Sequence, residues 1–256
     1  MIKQENKSRI FITGDCHRNF DKIYNFCNNV ETTTDDIMII AGDAGINWYC
    51  DPVFKYDEHL KKSLSKLPIT LVIVHGNHEE RAWNCHGYKH DIYKVGCDNI
   101  LAWAEPEFPN ILFVDDFSMQ CIKNRRFLFL GGAYSIDKWQ RLMYGGRWFE
   151  SEQMSKEDME INLKRLVADR KAFEYSINHR KNQFDYVVSH TCPLKYEPTE
   201  VFLAGVDQSK VDKRTEKFLD EVEDIISYGE WIAAHFHVDK VVDRIRFIYN
   251  DIIELE

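Results

Sequence analysis

The sequence has no long hydrophobic run, and no apolar stretch approaches the roughly 18 residues that a membrane helix needs. It also has no excess of positive charge, because 33 Lys and Arg residues stand against 42 Asp and Glu residues, for a net charge of −9. This balance argues against a protein that grips long duplex nucleic acid through a basic face. We therefore expect neither a membrane partner nor a long nucleic-acid partner.

Cysteine is present, but not in a recognisable pairing pattern. The seven cysteines are scattered, their number is odd, and no CxxC pair occurs. The polar start of the chain, over residues 1–9, does not resemble a signal peptide. The simple interpretation is a cytoplasmic protein with free thiols.

No internal repeat, low-complexity tract or Pro/Gly-rich linker divides the chain. Its 256 residues suit a single domain over 1–256, and a chain of this size buries about 70–75% of its unfolded surface. One compositional shift occurs at 139–182, which is charged, has a helical pattern and interrupts the strands. This segment fits a helical cap or insertion beside a site, or a plain excursion of surface helices.

Short apolar runs rich in β-branched residues recur along the chain, and each ends in a small polar cluster. Such runs indicate strands buried on both faces, as in a sheet covered by helices. The runs are 9–13, 37–41, 70–74, 127–130, 185–189 and 231–234. Amphipathic helical patterns lie between them, around 20–27, after a capping box at Ser155, and at 218–226. The alternation predicts an α/β fold, with 246–253 as one closing strand.

Histidine, aspartate and asparagine follow these runs at the points where the predicted strands end. In open α/β sheets the carboxyl ends of neighbouring strands meet in one crevice, so residues far apart in sequence can meet there. The residues are Asp15, His17, Asp43, Asn77, His78, His190, His235 and His237. Carboxylates, an amide oxygen and imidazoles form a mixed ligand set that suits Mn, Fe, Ni, Co or Zn better than Ca or Mg. The pattern predicts a transition-metal site at this crevice.

Five short blocks in a fixed order carry a family resemblance. They are Gly14-Asp15-Cys16-His17, Gly42-Asp43, Gly76-Asn77-His78-Glu79, His190, and His235-Phe236-His237. Each block alone is weak, but together, each behind a predicted strand, they resemble the calcineurin-like metallophosphoesterase superfamily. The resemblance implies a four-layer α/β/β/α sandwich of two mixed sheets with helices outside.

The resemblance also implies a centre of two divalent transition-metal ions, with manganese as the first choice. One ion would be held by Asp15, His17, Asp43 and His237. The other would be held by Asp43, Asn77, His190 and His235, so that Asp43 bridges the pair. A bridging hydroxide would attack phosphorus, and His78 would act as general acid or as a donor to the phosphate. The implied function is hydrolysis of a phosphomonoester or phosphodiester.

Two alternatives stay open at this point. One is a nuclease or cyclic-phosphate phosphodiesterase that acts on nucleic-acid ends, and the other is a catalytically silent scaffold of the same fold. A Ser/Thr protein phosphatase is disfavoured. That branch of the family carries GDxxDRG, and here Ile46 stands in place of the aspartate that would orient the catalytic histidine.

Candidate substrate contacts lie close to these blocks. They are Arg18, Arg81, Tyr134, Asp137 and Arg141. Arg18 stands where the family usually has glycine, and Arg81 follows the third block. The others lie in 131–141, a stretch that resembles a subgroup of bacterial and phage members of the family. The plain interpretations are a solvated loop arginine at position 18 and a structural turn at 131–138.

Overall fold

Thirteen strands and five α-helices form within the residues that this computed structural model describes, which are 8–51, 53, 55–175 and 181–256. The strands are β1 (Ile10–Thr13), β2 (Ile37–Ile40), β3 (Thr70–Ile73), β4 (Lys89–Val95), β5 (Asp98–Ala104), β6 (Ile111–Phe113), β7 (Phe117–Ile122), β8 (Arg125–Leu130), β9 (Phe184–Ser189), β10 (Tyr228–Ala233), β11 (Lys240–Val242), β12 (Ile245–Phe247) and β13 (Ile252–Leu255). The helices are α1 (Asp21–Asn29), α2 (Tyr56–Leu64), α3 (Lys138–Met143), α4 (Lys156–Tyr175) and α5 (Arg214–Ile225).

The strands form two mixed sheets, in the orders β13-β1-β2-β3-β6-β5-β4 and β11-β12-β10-β9-β8-β7. In the first sheet β1, β2, β3 and β6 run parallel, and the remaining strands pair antiparallel. In the second sheet β8, β9, β10 and β12 run parallel, with β7 and β11 antiparallel. His190, just after β9, bonds to the carbonyl of Ala41, just after β2. The carboxyl ends of both parallel sets therefore lie together.

Alternate residues of a strand face opposite sides of its sheet, and here both sides are buried. In β2, Ile37 and Ile39 belong to the core between the two sheets. Met38 and Ile40 pack in an outer layer together with Ile23 of α1. Helices α4 and α5 cover the outer face of the second sheet in the same way. The result is four layers, α/β/β/α, which confirms the predicted sandwich.

All six predicted strands form, as β1, β2, β3, β8, β9 and β10, and the predicted helices form as α1, α4 and α5. The Ser155 hydroxyl accepts the backbone N–H of Asp158 at 3.0 Å, which confirms the helix start predicted there. The sequence does not predict β4–β7 or α2. In β4 most side chains are exposed, so no continuous apolar run marks the strand. Among the helices in the described ranges, none is long and apolar enough to cross a membrane.

The prediction of one closing strand over 246–253 is wrong. The chain instead forms β12 in the second sheet and β13 at the edge of the first. Between them the Asp239 carboxylate accepts the backbone N–H groups of Tyr249, Asn250 and Asp251. These bonds fix a turn that carries the chain from one sheet to the other.

The segment 139–182 is divided between two places in the fold. Helix α3 follows the loop after β8, whereas Met159 and Leu166 of α4 pack on the second sheet. Positions 176–180 lie outside the described residues. A cap role for the segment stays a prediction, as does the single-domain assignment.

Candidate metal centre

The loops after β1 and β10 bring Asp15, His17 and His237 together. His17 Nε2 lies 2.9 Å from His237 Nε2. Both nitrogens also face Asp15 Oδ2, at 3.5 Å for His17 and 2.9 Å for His237. These three potential ligand atoms lie within 4.8 Å of one another, so they converge on one point.

A second group forms where the loops after β2, β3, β9 and β10 meet. Asp43, His190 and His235 each offer a ligand atom, and these atoms also lie within 4.8 Å of one another. His190 Nε2 is 3.5 Å from Asp43 Oδ1 and 3.0 Å from Asn77 Oδ1. Asp43, Asn77 and His190 are buried, so this group lies deeper in the protein than the first.

Asp43 links the two groups. Its Oδ1 faces His190, while its Oδ2 lies 3.9 Å from His17 Nε2. His78 Nε2 is also 3.9 Å from Asp43 Oδ2. The structure thus brings together all eight side chains that the strand-end pattern selects.

The residues present fit metal ions. Within the described part of the chain the buried Asp15 Oδ2 forms no hydrogen bond of good geometry, although His237 Nε2 lies 2.9 Å away. Next to it, the ring nitrogens of His17 and His237 face each other at 2.9 Å. A buried acceptor without a donor is costly, and a bound cation would satisfy it together with the facing nitrogens. Carboxylate, imidazole and amide ligands suit a divalent transition metal.

Hydrogen bonds behind the site orient two of these side chains. His190 Nδ1 lies 2.9 Å from the carbonyl oxygen of Ala41, so this nitrogen carries a proton and Nε2 is the nitrogen that faces the centre. Asn77 donates its Nδ2–H to Ser135 Oγ at 2.9 Å, which turns its Oδ1 toward the centre. Both side chains therefore point ligand atoms inward before any ion binds.

The backbone at the site is unusual. Left-handed φ angles, uncommon outside glycine, occur at His17 (45°), Asp43 (48°), His235 (68°) and His237 (53°). Such conformations concentrate at functional sites, because the surrounding structure must hold them. Glycine is required at Gly76, where an added Cβ would lie 1.9 Å from Asp43 Oδ1. The loops are thus shaped around the side chains that they present.

The charges at the site reinforce one another. Burial would raise the pKa of Asp43, but His190 and His78 hold that pKa well below its usual range. Burial would lower the pKa of His190, but Asp43 and Asp15 raise it to about 9. Burial and the neighbouring His190 lower the pKa of His235 to about 3. The carboxylates therefore stay ionised, which favours cations in this pocket.

His78 lies beside the metal groups and is held from several sides. Its backbone N–H donates to Asp43 Oδ1 at 2.8 Å, and Trp48 stacks on its ring at 6.3 Å. Arg141 Nη2 lies 2.9 Å from His78 Nδ1, while Arg141 Nε donates to Asp137 Oδ2 at 2.7 Å. Burial lowers the pKa of His78; Asp43 opposes this shift and Arg141 adds to it. Trp48 and Arg141 thus position a ring that lacks the aspartate of the protein-phosphatase branch.

The prediction that Arg81 contacts substrate is wrong. Its guanidinium is fully buried and donates to Asp116 Oδ2 at 2.8 Å. It also donates to the backbone oxygens of Gly76 at 2.6 Å and Glu152 at 3.0 Å. Substrate cannot reach this group. Arg81 instead ties the loop after β3 to the segment that follows α3.

The other candidate substrate contacts lie at or near the site. Tyr134 and Asp137 line the cavity beside the metal groups. Arg141 contacts His78 and pairs with Asp137. Arg18 is partly exposed, but its Nη1 donates to Asp57 Oδ1 at 2.6 Å. Substrate binding by these four residues stays a prediction.

Two positioning residues escape the sequence analysis. Lys22 on α1 donates to the backbone oxygens of Gly14, Asp15 and Tyr249, and so fixes the first ligand loop. No motif signals a lysine in this role. Ser135 orients Asn77, and the stretch 131–138 was the only sequence signal that pointed to its region.

The cysteines differ from the expectation at one place. Cys50 and Cys85 form a disulfide between the loop after β2 and the loop after β3, so the prediction of free thiols is wrong for this pair. The other five cysteines are free. The bridge ties together two loops that carry predicted ligands. Spacing alone does not reveal such a pairing.

Comparison with known proteins tests the resemblance. No curated protein matches the chain significantly. Among solved structures, the chain is similar to a novel archaeal phosphodiesterase at 14% sequence identity and a TM-score of 0.29. The match covers 55% of this chain and 68% of the phosphodiesterase chain. The family model described as calcineurin-like phosphoesterase matches residues 8–239, a range that includes every predicted metal ligand. The chain belongs to the calcineurin-like phosphoesterase family.

Proposed function

We propose that this protein is a metal-dependent phosphoesterase that hydrolyses a phosphomonoester or phosphodiester at a centre of two divalent metal ions. Membership of the family already makes it a hydrolase of phosphoester bonds. The observation that carries the proposal is the position of Asp43, whose two oxygens lie 3.5 Å from His190 Nε2 and 3.9 Å from His17 Nε2. A carboxylate that reaches two ligand groups meets the requirement for a bridge.

The proposed ligand sets follow from the two groups. Asp15, His17, Asp43 and His237 would hold one ion, and Asp43, Asn77, His190 and His235 would hold the other. Mixed nitrogen and oxygen ligands suit Mn, Fe, Ni, Co or Zn alike, and manganese is our first choice only through the family resemblance. Membership of the bacterial and phage subgroup stays a prediction.

The chain's own groups supply positioning and proton transfer. When bound, the ions would neutralise phosphoryl charge and make an attacking water more acidic. His78, held by Arg141 and Trp48, would donate a proton to the leaving oxygen as the bond from that oxygen to phosphorus breaks. The proton that the attacking water loses would return to His78 through solvent.

The test is an assay of metal-stripped protein with p-nitrophenyl phosphate and its bis ester. We expect no turnover after chelation. Turnover should be restored when added Mn²⁺ brings the bound metal, measured by elemental analysis, to two ions per chain. Protein that binds two ions but cleaves neither ester, nor any of a broad phosphoester panel, would contradict the proposal. Anomalous scattering from crystals then checks the ligands.

Replacing His78 by Asn tests its role as an acid. We expect kcat for phenyl phosphate to fall by about 10²-fold, because the phenolate needs a proton to leave. The loss for p-nitrophenyl phosphate should be smaller, because p-nitrophenolate leaves readily without protonation. The matched control is His86→Asn, an exposed histidine away from the centre, which should leave both rates unchanged. An equal loss on both esters would rule out proton donation to the leaving group.

A further inference from the structure

The cavity that holds the metal groups continues into a wall of apolar side chains. Its volume is about 480 Å³, and its lining includes His17, Asp43 and His78. The apolar wall consists of Val201, Phe202, Leu203, Val206, Val211 and Phe236. Most of this wall comes from the segment between β9 and α5, which is separate in sequence from the ligand loops.

Several apolar side chains at this cavity are exposed to water. Leu203 is 66% exposed, Val201 is 37% exposed, and Ile136, which also lines the cavity, is 41% exposed. Single exposed apolar residues are common on protein surfaces. A cluster of them inside a concave site, next to convergent polar groups, is typical of a ligand pocket.

Phe236 joins the apolar wall to the metal groups. It lies in the chain between His235 and His237, and its ring stacks on Phe202 at 6.0 Å and 15°. The ring also packs edge-to-face on Phe247 of β12 at 5.7 Å and on His235 at 5.0 Å. The wall therefore begins at the ligand loop itself. A group attached to a phosphate at the centre would lie against it.

Among the described residues, those that line this cavity include no unpaired Lys or Arg. Lys213 is the one Lys or Arg among the described residues that line it, and its Nζ lies 2.5 Å from Glu197 Oε1. Nearby, Arg141 is engaged by Asp137 at 2.7 Å. A second phosphate group would therefore meet apolar side chains, paired charges and the neutral donors of Tyr134, Gln140 and Gln208, but no unpaired Lys or Arg among the described residues that line the cavity.

We infer that the ester group of the substrate is an uncharged apolar group, such as a ring or a branched alkyl chain, which packs on this wall while its phosphate lies at the centre. The inference rests on the proposed function. It also disfavours the nucleic-acid alternative, because the next phosphate of a strand needs a cationic partner.

The experiment compares cyclohexyl with methyl esters, which have similar chemical reactivity but differ in apolar bulk. The diester series is cyclohexyl and methyl p-nitrophenyl phosphate, and the monoester series is cyclohexyl and methyl phosphate, all with Mn²⁺. We expect kcat/KM to favour the cyclohexyl ester by at least about tenfold in each series that is hydrolysed, because even one methylene is worth about tenfold or more in a fitted pocket. The 2-sulfoethyl p-nitrophenyl diester, which adds a charge, should be the poorest diester substrate.

Leu203→Ser tests the wall, and Val241→Ser is the matched control, an exposed valine on β11 outside the cavity. We expect Leu203→Ser to reduce the cyclohexyl preference by at least about threefold, and Val241→Ser to leave it unchanged. Equal kcat/KM for both esters, or a preference that Leu203→Ser does not alter, overturns the inference and leaves the phosphoesterase function standing. No turnover of these esters or of any ester in the broad panel overturns the proposed function, and the inference with it.

Discussion

Replacing Asp43 by Asn should lower kcat/KM for p-nitrophenyl esters by at least about 10³-fold, because it removes the charge that the two ligand groups share. Lewis-acid stabilisation by a bound ion is worth several kcal/mol, and about 4 kcal/mol corresponds to roughly 10³ in rate. Asn keeps the shape of the side chain and can still accept the N–H of His78, which Asp43 Oδ1 accepts at 2.8 Å. The loss should therefore come from the metal centre and not from the fold.

The matched control for this prediction is Asp36→Asn. Asp36 is also a buried aspartate, but it lies just before β2 begins, at the opposite end of the strand that Asp43 follows. Activity, bound metal per chain and melting temperature are measured for both variants. We expect fewer than two ions per chain only in Asp43→Asn. An Asp43→Asn protein with two ions and wild-type turnover would refute the bridging role.

The sequence predicts the convergence of the ligands because its signals are local. Each ligand block stands directly behind an apolar run, and both faces of strands such as β2 are buried, so the runs are easy to recognise. Parallel strands then place their carboxyl ends at one edge. Asp43, His17 and His190 meet there as expected, although 173 positions separate His17 from His190 (190 minus 17).

The surroundings of His78 could not be predicted in this way. Arg141 lies 63 positions away in the chain, and no spacing rule connects the two residues. The sequence around Asp43 indicates only that an aspartate is missing, with Ile46 in its place. The ring is instead held by Trp48 from the loop after β2 and by Arg141 from α3. A local motif shows that the usual partner of the histidine is absent. Which residues replace that partner depends on tertiary packing.

Dependence on tertiary packing also explains why the sequence wrongly predicts a substrate contact for Arg81 and free thiols for Cys50 and Cys85. An arginine beside a phosphate-binding motif is a reasonable substrate contact until its burial is known, and burial depends on the segment before α4 that covers it. The Cys50–Cys85 pair spans 35 residues and two loops. Its geometry arises only once β2 and β3 lie side by side. Residues that act through contacts between loops are therefore the ones that the sequence misassigns.

Arg81 also gives the largest expected effect on stability. Replacing it by Met should lower the free energy of unfolding by about 3–5 kcal/mol, because the change leaves Asp116 buried without its guanidinium partner. Asp116 Oδ1 retains only His75, at 3.1 Å, and burial lowers the pKa of that imidazole. The measurement is urea unfolding at neutral pH, with Arg244→Met as the control. The Arg244 side chain is 53% exposed and pairs with Glu223, which keeps Lys195 and Tyr228 as partners, so its loss should cost at most about 1 kcal/mol.

A double variant separates the lost ion pair from lost packing. Adding Asp116→Asn to Arg81→Met removes the unpaired charge, so it should recover part of the lost stability. If the double variant is as unstable as Arg81→Met, the defect lies in packing and not in the stranded carboxylate. Arg81 also bonds to the Gly76 carbonyl, in the loop that presents Asn77. We therefore expect Arg81→Met to bind metal more weakly at concentrations of urea that leave the fold intact. An unchanged metal affinity under these conditions would show that Arg81 does not hold the Asn77 loop in place.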